Sequence, residues 1–299
     1  MLKRFPLIAL LLLITLSSHS YPLLERFFDK TVPVLKLETG GGKFSQGHTA
    51  ILYFTSNVPS LEVSGWFQGK DLKAYQYKSP YRYRMVLGFS ADDPGNKDYY
   101  LRIKAKDKAG NTADYHYRIY VTSYKFGVLR FTLKPKKVMM LMPDTIREDW
   151  KKIEDVVKLE NDKNYIRGYF IKPAAGRVTM NFGIQEFING EEFGRHRGLD
   201  IANATGTIVK ASNSGIVRLA ERLPAHGNAV VIDHGQGIYT YYAHLSKILV
   251  RPDQRVWKGE EIGLMGATGV ATGPHLHFSV SLHNLRVDPL QWLNGVVKD

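Results

Sequence analysis

The sequence reads as a mainly β protein of two domains joined by a short helix. Three observations carry that reading. The chain has 299 residues, and domains of ~100–200 residues make two of them the natural expectation. From about residue 30 to 123 short alternating runs are separated by turn residues, as in an antiparallel sandwich. From 165 onward the texture changes to Gly-rich extended runs, after a stretch of helical spacing.

At the N-terminus, Lys3 and Arg4 precede the uncharged run Phe5–Leu16, and Ser17-Ser18-His19-Ser20 follows. A basic region, a short apolar core and small residues match a secretory signal with cleavage after Ser20. The apolar run is short against the ~20 residues of a spanning helix, and an uncleaved anchor is the alternative. The expected location is therefore export to the periplasm or cell envelope, with anchoring to the inner membrane by this segment as the second form.

The sandwich is expected over 21–125. Its strands are read at Ile51–Ser56, Leu61–Phe67, Tyr81–Phe89, Tyr99–Lys106 and Ala113–Thr122, with turns at Gly40-Gly41-Gly42, Asp92–Asn96 and Asp107–Asn111. In the last strand Tyr115, Tyr117, Ile119 and Val121 share one face, and Asp114, His116 and Arg118 the other. The turn Asp107-Lys108-Ala109-Gly110-Asn111 entering that strand resembles bacterial immunoglobulin-like modules, which implies an Ig-like β-sandwich. A linker is expected over 126–164, extended as far as Val138–Met142. It then carries a helix at about 145–161, where Ile146, Trp150, Ile153 and Val157 recur at helical spacing and Thr145 with Glu148 forms a capping box. Trp150 on that stripe is read as core.

Composition narrows the chemistry. With no cysteine among the 299 residues, disulfide frameworks, thiolate metal sites and Cys nucleophiles are excluded. Any metal must be held by His and carboxylate. Residues 1–150 carry 23 basic and 13 acidic groups, against 18 and 15 in 151–299. A basic N-terminal half suits an anionic wall polymer or a membrane surface. Lys134-Pro135-Lys136-Lys137 is too short for a nucleic-acid motif, and no nucleic acid is expected.

Seven of the ten histidines lie between His196 and His283. His196 and Asp200 stand four apart. His275 and His277 open an alternating strand, so both point to one face, with Leu276, Phe278 and Val280 on the other. Zinc accepts imidazole nitrogen and carboxylate oxygen, and a catalytic site keeps one position open. Two His and one Asp are an available set. His226 is read as a surface-loop residue, His234 as packing or hydrogen bonding around the site. His283, six residues of strand beyond His277, lies roughly 20 Å away.

A resemblance assigns roles more sharply. The segments are Asn181-Phe182-Gly183, His196–Asp200 running into Ile201-Ala202, Val209-x-Ala211 with Gly215-x-Val217, Gly227–Gly235, Thr240–Ser246, Val256–Gly263, and Thr268-Gly269 through Thr272–Phe278. In that order they resemble the catalytic domain of the LytM/lysostaphin-like zinc metallopeptidases, enzymes that cut peptide bonds in peptidoglycan. The resemblance implies an antiparallel-β peptidase domain over 165–299. It implies zinc held by His196, Asp200 and His277, with His244 and His275 as catalytic histidines that do not bind the metal. Which of those two is the general base stays open. Asn181, and Tyr242 by its alternation with His244, are expected substrate contacts. Gln185 stands where the family commonly has a basic residue, and Ser279 where it often has Glu, which puts substrate contacts in question.

The expected function is therefore a zinc endopeptidase acting on the stems or cross-links of peptidoglycan. The alternative is a catalytically silent wall-binding or regulatory module that activates another hydrolase. The Val256–Gly266 hairpin also resembles lipoyl- and biotinyl-carrier hairpins, but its tip offers no modifiable lysine. Intramolecular inhibition by the N-terminal module is a further expectation.

Overall fold

The computed structural model describes residues 33–297, apart from positions 43, 140, 142 and 160. The signal or anchor expected at 1–20 lies outside them. The expected envelope location with an inner-membrane anchor is corrected: among the described residues no helix is long and apolar enough to cross a membrane.

The chain forms two compact units, one of Met1–Phe44, Ala50–Val86 and Pro94–Ser123, the other of Ser45–Thr49, Leu87–Asp93 and Tyr124–Asp299. The first is a β-sandwich of β1 (Leu35–Gly42), β2 (Thr49–Ser56), β3 (Glu62–Phe67), β4 (Lys70–Gln76), β5 (Arg82–Gly88), β6 (Lys97–Lys106) and β7 (Thr112–Val121). The strand order is β1-β2-β5-β4-β3-β6-β7. Strand β4 turns the corner: Lys70–Ala74 pair with β3, and Tyr75 and Gln76 pair with β5. The two halves then close on Phe54, Val63, Met85, Leu101 and Ile103, all buried. Strands β1 and β4 have no counterpart among the runs read from sequence. The three glycines read as a turn lie in β1, where the register shifts between Thr39 and Gly41. In β4 only Ala74 is buried, so its alternation carries little apolar signal.

The second unit begins with β8 (Val128–Phe131), α1 (Pro135–Met139) and α2 (Pro143–Val157). Helix α2 starts at Pro143, a position that proline favours, so Thr145 lies inside the first turn and not at a cap. Its apolar stripe does what the spacing implies. Ile153 and Val157 are buried against Leu219, Leu223, Val231, Tyr239 and Tyr241, with Trp150 packed on that cluster. The Tyr239 hydroxyl donates to the Leu159 carbonyl and ties down the segment after the helix.

The rest of this unit is antiparallel β with one small mixed sheet. Its strands are β9 (Arg177–Met180), β10 (Gln185–Ile188), β11 (Glu191–Arg195), β12 (Leu199–Ala202), β13 (Ile208–Lys210), β14 (Gly215–Leu223), β15 (Gly227–Gly235), β16 (Ile238–Ile248), β17 (Arg255–Val256), β18 (Glu261–Met265), β19 (His275–Leu282) and β20 (Leu285–Val287), followed by α3 (Pro289–Leu293). A ten-stranded sheet runs β17-β14-β15-β16-β19-β12-β9, with β13, β18 and β20 paired off that path. Strands β11, β10 and β8 form the small sheet, β8 joining in parallel. The centre, β15-β16-β19, is almost wholly buried, which fixes the site strands rigidly.

Candidate metal centre

Register brings the site together. Strands β12 and β19 pair antiparallel with Asp200 opposite His277, and β16 places Ala243 opposite His277 on the other side. His196 precedes β12 and is held by its main chain, donating to the Ile184 carbonyl and accepting from the Gly183 amide. Between them Gly198 is a close-approach position: a Cβ there would stand 2.6 Å from His277 Nε2 and 2.7 Å from the Phe278 carbonyl oxygen.

His196, Asp200 and His277 each offer one ligand atom, all within 4.8 Å of one another, and so could hold a metal ion. His196 Nε2 lies 3.1 Å and His277 Nδ1 2.9 Å from the same carboxylate oxygen, Asp200 Oδ1. His196 Nε2 is buried without a hydrogen bond, an expensive state for a polar atom unless a ligand satisfies it. That orphaned nitrogen, with an N/N/O donor set and no thiolate, fits zinc.

The neighbours fix the tautomers. The Ser279 hydroxyl donates to the Arg197 carbonyl and lies 3.0 Å from His277 Nε2. Ser279 Oγ is thus placed to accept from Nε2–H, the tautomer that would present the Nδ1 lone pair to a metal beside Asp200. Glu186, buried on β10, stands 3.7 Å from His196 Nδ1. His244 Nδ1 donates to the Thr268 carbonyl at 2.9 Å and His275 Nδ1 to the Gly273 carbonyl at 2.9 Å, since a carbonyl can only accept. Each thus keeps Nε2 free. Their rings are 4.7 Å apart, and His275 Nε2 is 3.7 Å from Asp200 Oδ2.

Electrostatics follow burial and charge. Burial opposes the charged form of His196, but Asp200 and then Glu186 outweigh it and raise the pKa to about 9. Burial also opposes ionisation of Asp200, yet His196 and His277 hold its carboxyl well below the usual range. His277 falls to about 4, chiefly by burial. His244 is pushed well below its ordinary value by burial and by the charges of His275 and His277. It therefore stays neutral, the form a proton acceptor needs.

All five histidine and aspartate positions singled out for chemistry line one groove of about 800 Å³. The two expected substrate contacts do not. Tyr242 is wholly buried, its ring against Phe278 and its hydroxyl accepting from the Ser212 amide. The alternation argument fails because β16 has a register shift here and His244 adopts φ +61°, which turns its side chain to the face opposite Tyr242. Asn181 is exposed beyond β9 and is not among the groove residues. Sequence reasoning also missed groove-lining residues: Glu186, His226, and an apolar wall of Leu129, Phe131, Leu133, Leu141, Ile146 and Trp150. The helical stripe was visible, but nothing in it distinguishes a core face from a groove wall.

Residues 194–289 match the model of Peptidase family M23. This part of the chain resembles M23-family peptidase domains. It is 45% identical over 96 residues to the peptidoglycan DD-endopeptidase ShyA of Vibrio cholerae, covering 32% of this chain and 22% of that protein. It is 37% identical over 124 residues to the DD-carboxypeptidase/endopeptidase Mpg of Neisseria meningitidis, covering 41% and 29%. The chain thus spans between a fifth and a third of the length of these relatives. A crystal structure of an M23 peptidase from Pseudomonas aeruginosa superposes with TM-score 0.64 and 25% identity, covering 85% of this chain and 96% of that one. That likeness extends the shared fold well beyond the M23 segment.

Proposed function

We propose that this chain is a zinc-dependent endopeptidase that hydrolyses amide bonds in the peptide stems or cross-links of peptidoglycan. The observation that carries the reading is the convergence in one groove of three metal-competent donors and two further imidazoles with free Nε2 atoms. The M23 match and the activities named for the two relatives point to the same substrate class.

His196, Asp200 and His277 hold zinc in this scheme, and zinc there supplies Lewis acidity, polarising a scissile carbonyl and acidifying water near neutral pH. His244, neutral and oriented by the Thr268 carbonyl, accepts a proton at Nε2 and returns it to the leaving amine. His275, oriented by the Gly273 carbonyl, presents Nε2 to the groove and can donate to the oxygen on which charge develops once that nitrogen has taken up a proton. Tyr242 and Asn181 are not carried forward as substrate contacts, because neither reaches the groove. Domain limits of 21–125, 126–164 and 165–299 belong to the same reading. So does an N-terminal Ig-like module that docks on an anionic wall polymer or restrains the peptidase. Higher turnover by a chain lacking 21–123 would support restraint.

The test is mass spectrometry of muropeptides released from purified cross-linked peptidoglycan by the full chain, with zinc, with chelator and with His244→Ala. Fragments that need both zinc and His244 support the proposal and name the bond. A folded, zinc-loaded chain that releases nothing from several wall types refutes it and leaves the silent regulatory module.

A further inference from the structure

Outside the metal centre, two fully buried carboxylates, Asp149 and Asp233, have no part in the scheme above, and the first lies beside the groove. Asp149 of α2 is fully buried, and its Oδ2 accepts three hydrogen bonds: from the Ala225 amide at 2.8 Å, the His226 amide at 3.0 Å and His226 Nδ1 at 2.8 Å. The His226 ring is wedged edge-on between Trp150 and Tyr241, with centroid distances of 5.0 and 5.7 Å. It is only 16% exposed, and what is exposed faces the groove, alongside His244 and His277. With Nδ1–H given to the carboxylate, Nε2 is the nitrogen left for a ligand.

The same loop reaches the catalytic machinery through its main chain. The His226 carbonyl accepts from the His244 amide at 3.0 Å, at the residue whose φ of +61° turns the imidazole into the groove. The Ala225 carbonyl accepts from the amide of Val270, another lining residue, at 2.7 Å. Asp149 lies outside the M23-matched residues 194–289, so the helix before the peptidase domain holds a loop inside it.

The geometry points to His226 as a substrate-binding residue of the groove, its Nε2 accepting from an N–H of the peptide, and to Asp149 as the positioning residue that holds it. This rests on the proposed peptidase function. The two residues have separable effects. His226→Ala removes the ring but keeps the carbonyl that holds His244. Asp149→Asn keeps the volume and one acceptor but weakens the grip on ring and loop together.

The experiment uses the zinc-loaded full chain and soluble cross-linked muropeptide dimers. KM and kcat come from cleavage, and affinity comes from calorimetry on chelated protein. His226→Ala is expected to raise KM and weaken binding by up to about tenfold, as for a lost neutral hydrogen bond, with kcat held within about twofold and zinc stoichiometry unchanged. Asp149→Asn is expected to raise KM similarly and also to lower kcat. The double variant should bind no more weakly than His226→Ala alone, because both act through one ring. His226→Gln should recover part of the affinity. Unchanged KM and affinity in His226→Ala, or losses that multiply in the double variant, would overturn the assignment. A wild-type chain that binds the dimers without cutting them would sink the peptidase reading, while the binding series still decides the role of His226. Neither cleavage nor binding would end both.

Discussion

His234, a buried residue outside the groove, is expected to make its own separable contribution to the acid sensitivity of the second unit. The imidazole is fully buried, and burial pushes its pKa down to about 4. Its Nδ1 lies 2.8 Å from the Ser214 carbonyl and its Nε2 2.7 Å from Thr240 Oγ1. Thr240 Oγ1 is in turn 3.0 Å from the Tyr242 hydroxyl, which accepts from the Ser212 amide. With His234 neutral, one direction satisfies every group: Tyr242 donates to Thr240, Thr240 to Nε2, and Nδ1–H to Ser214. A second proton on the ring would make Nε2 a donor, reverse the Thr240 hydroxyl and leave the Tyr242 hydroxyl hydrogen with no acceptor in this chain of contacts.

The sign follows from which state binds the proton. The unfolded chain takes it up near the ordinary value of about 6.5 and the folded chain only near 4, so the unfolded state carries more protons between those limits. Stability is full above about pH 6.5, falls as the pH drops towards 4, and stops falling below it. A gap of about 2.5 units at ~1.36 kcal/mol each gives a loss of about 3 kcal/mol. Urea unfolding of the full chain in chelator, from pH 7.5 to 4, should show this loss in wild type. It should be absent from the curve of His234→Gln itself, so that the difference between the two proteins changes by about 3 kcal/mol over this range, whatever the variant costs at pH 7.5. The His234 ring resonance should titrate near pH 4. Parallel pH curves for the two proteins, or a ring midpoint between 6 and 7, would refute the reasoning.

Three further outcomes are expected. Asp200→Asn and His277→Ala should lose zinc, measured by metal analysis after desalting, whereas His244→Ala should keep it and lose turnover by roughly 10²–10⁴-fold. Ser279→Ala leaves His277 Nε2 without its acceptor at 3.0 Å, and zinc affinity by competitive chelation should fall about tenfold, as for partners that orient metal ligands. Gly198→Ala would press a Cβ onto His277 Nε2 and the Phe278 carbonyl. Zinc binding and thermal stability should fall together, unlike in Ser279→Ala.

Much of this could be read from residue order, and the misses have physical causes. His275 and His277 could be put on one face because a strand fixes which neighbours share it, whereas His196 and Asp200 were joined to them by the family resemblance; the pairing of β12 with β19 sets Asp200 opposite His277. Tyr242 was misplaced because alternation holds only while the backbone stays extended, and the left-handed His244 breaks it. His226 reads as a loop residue in any local window. What gives it a place is Asp149, 77 residues earlier, and no periodicity encodes that contact. The stripe on α2 was legible as apolar. Its division between core at Ile153 and Val157 and groove wall at Ile146 and Trp150 depends on where the sheet stops, which is a tertiary fact.

The division of labour in the groove follows from what each kind of residue can tolerate. The metal-competent donors need rigid geometry: Asp200 and His277 sit on the buried strands β12 and β19 and His196 just before β12, with Ser279 beside His277 and Glu186 near His196. The opposite wall needs shape and apolar surface more than exact placement, and it comes from β8, the turn after α1 and α2, outside the M23-matched residues. A wall of that origin can change its contour without moving a ligand atom. Asp149 is the exception, because it reaches from this replaceable wall into the loop that supports His244. The helix is therefore more than a spacer between domains: its packing and its one buried carboxylate make the groove wall and His244 depend on the same contact.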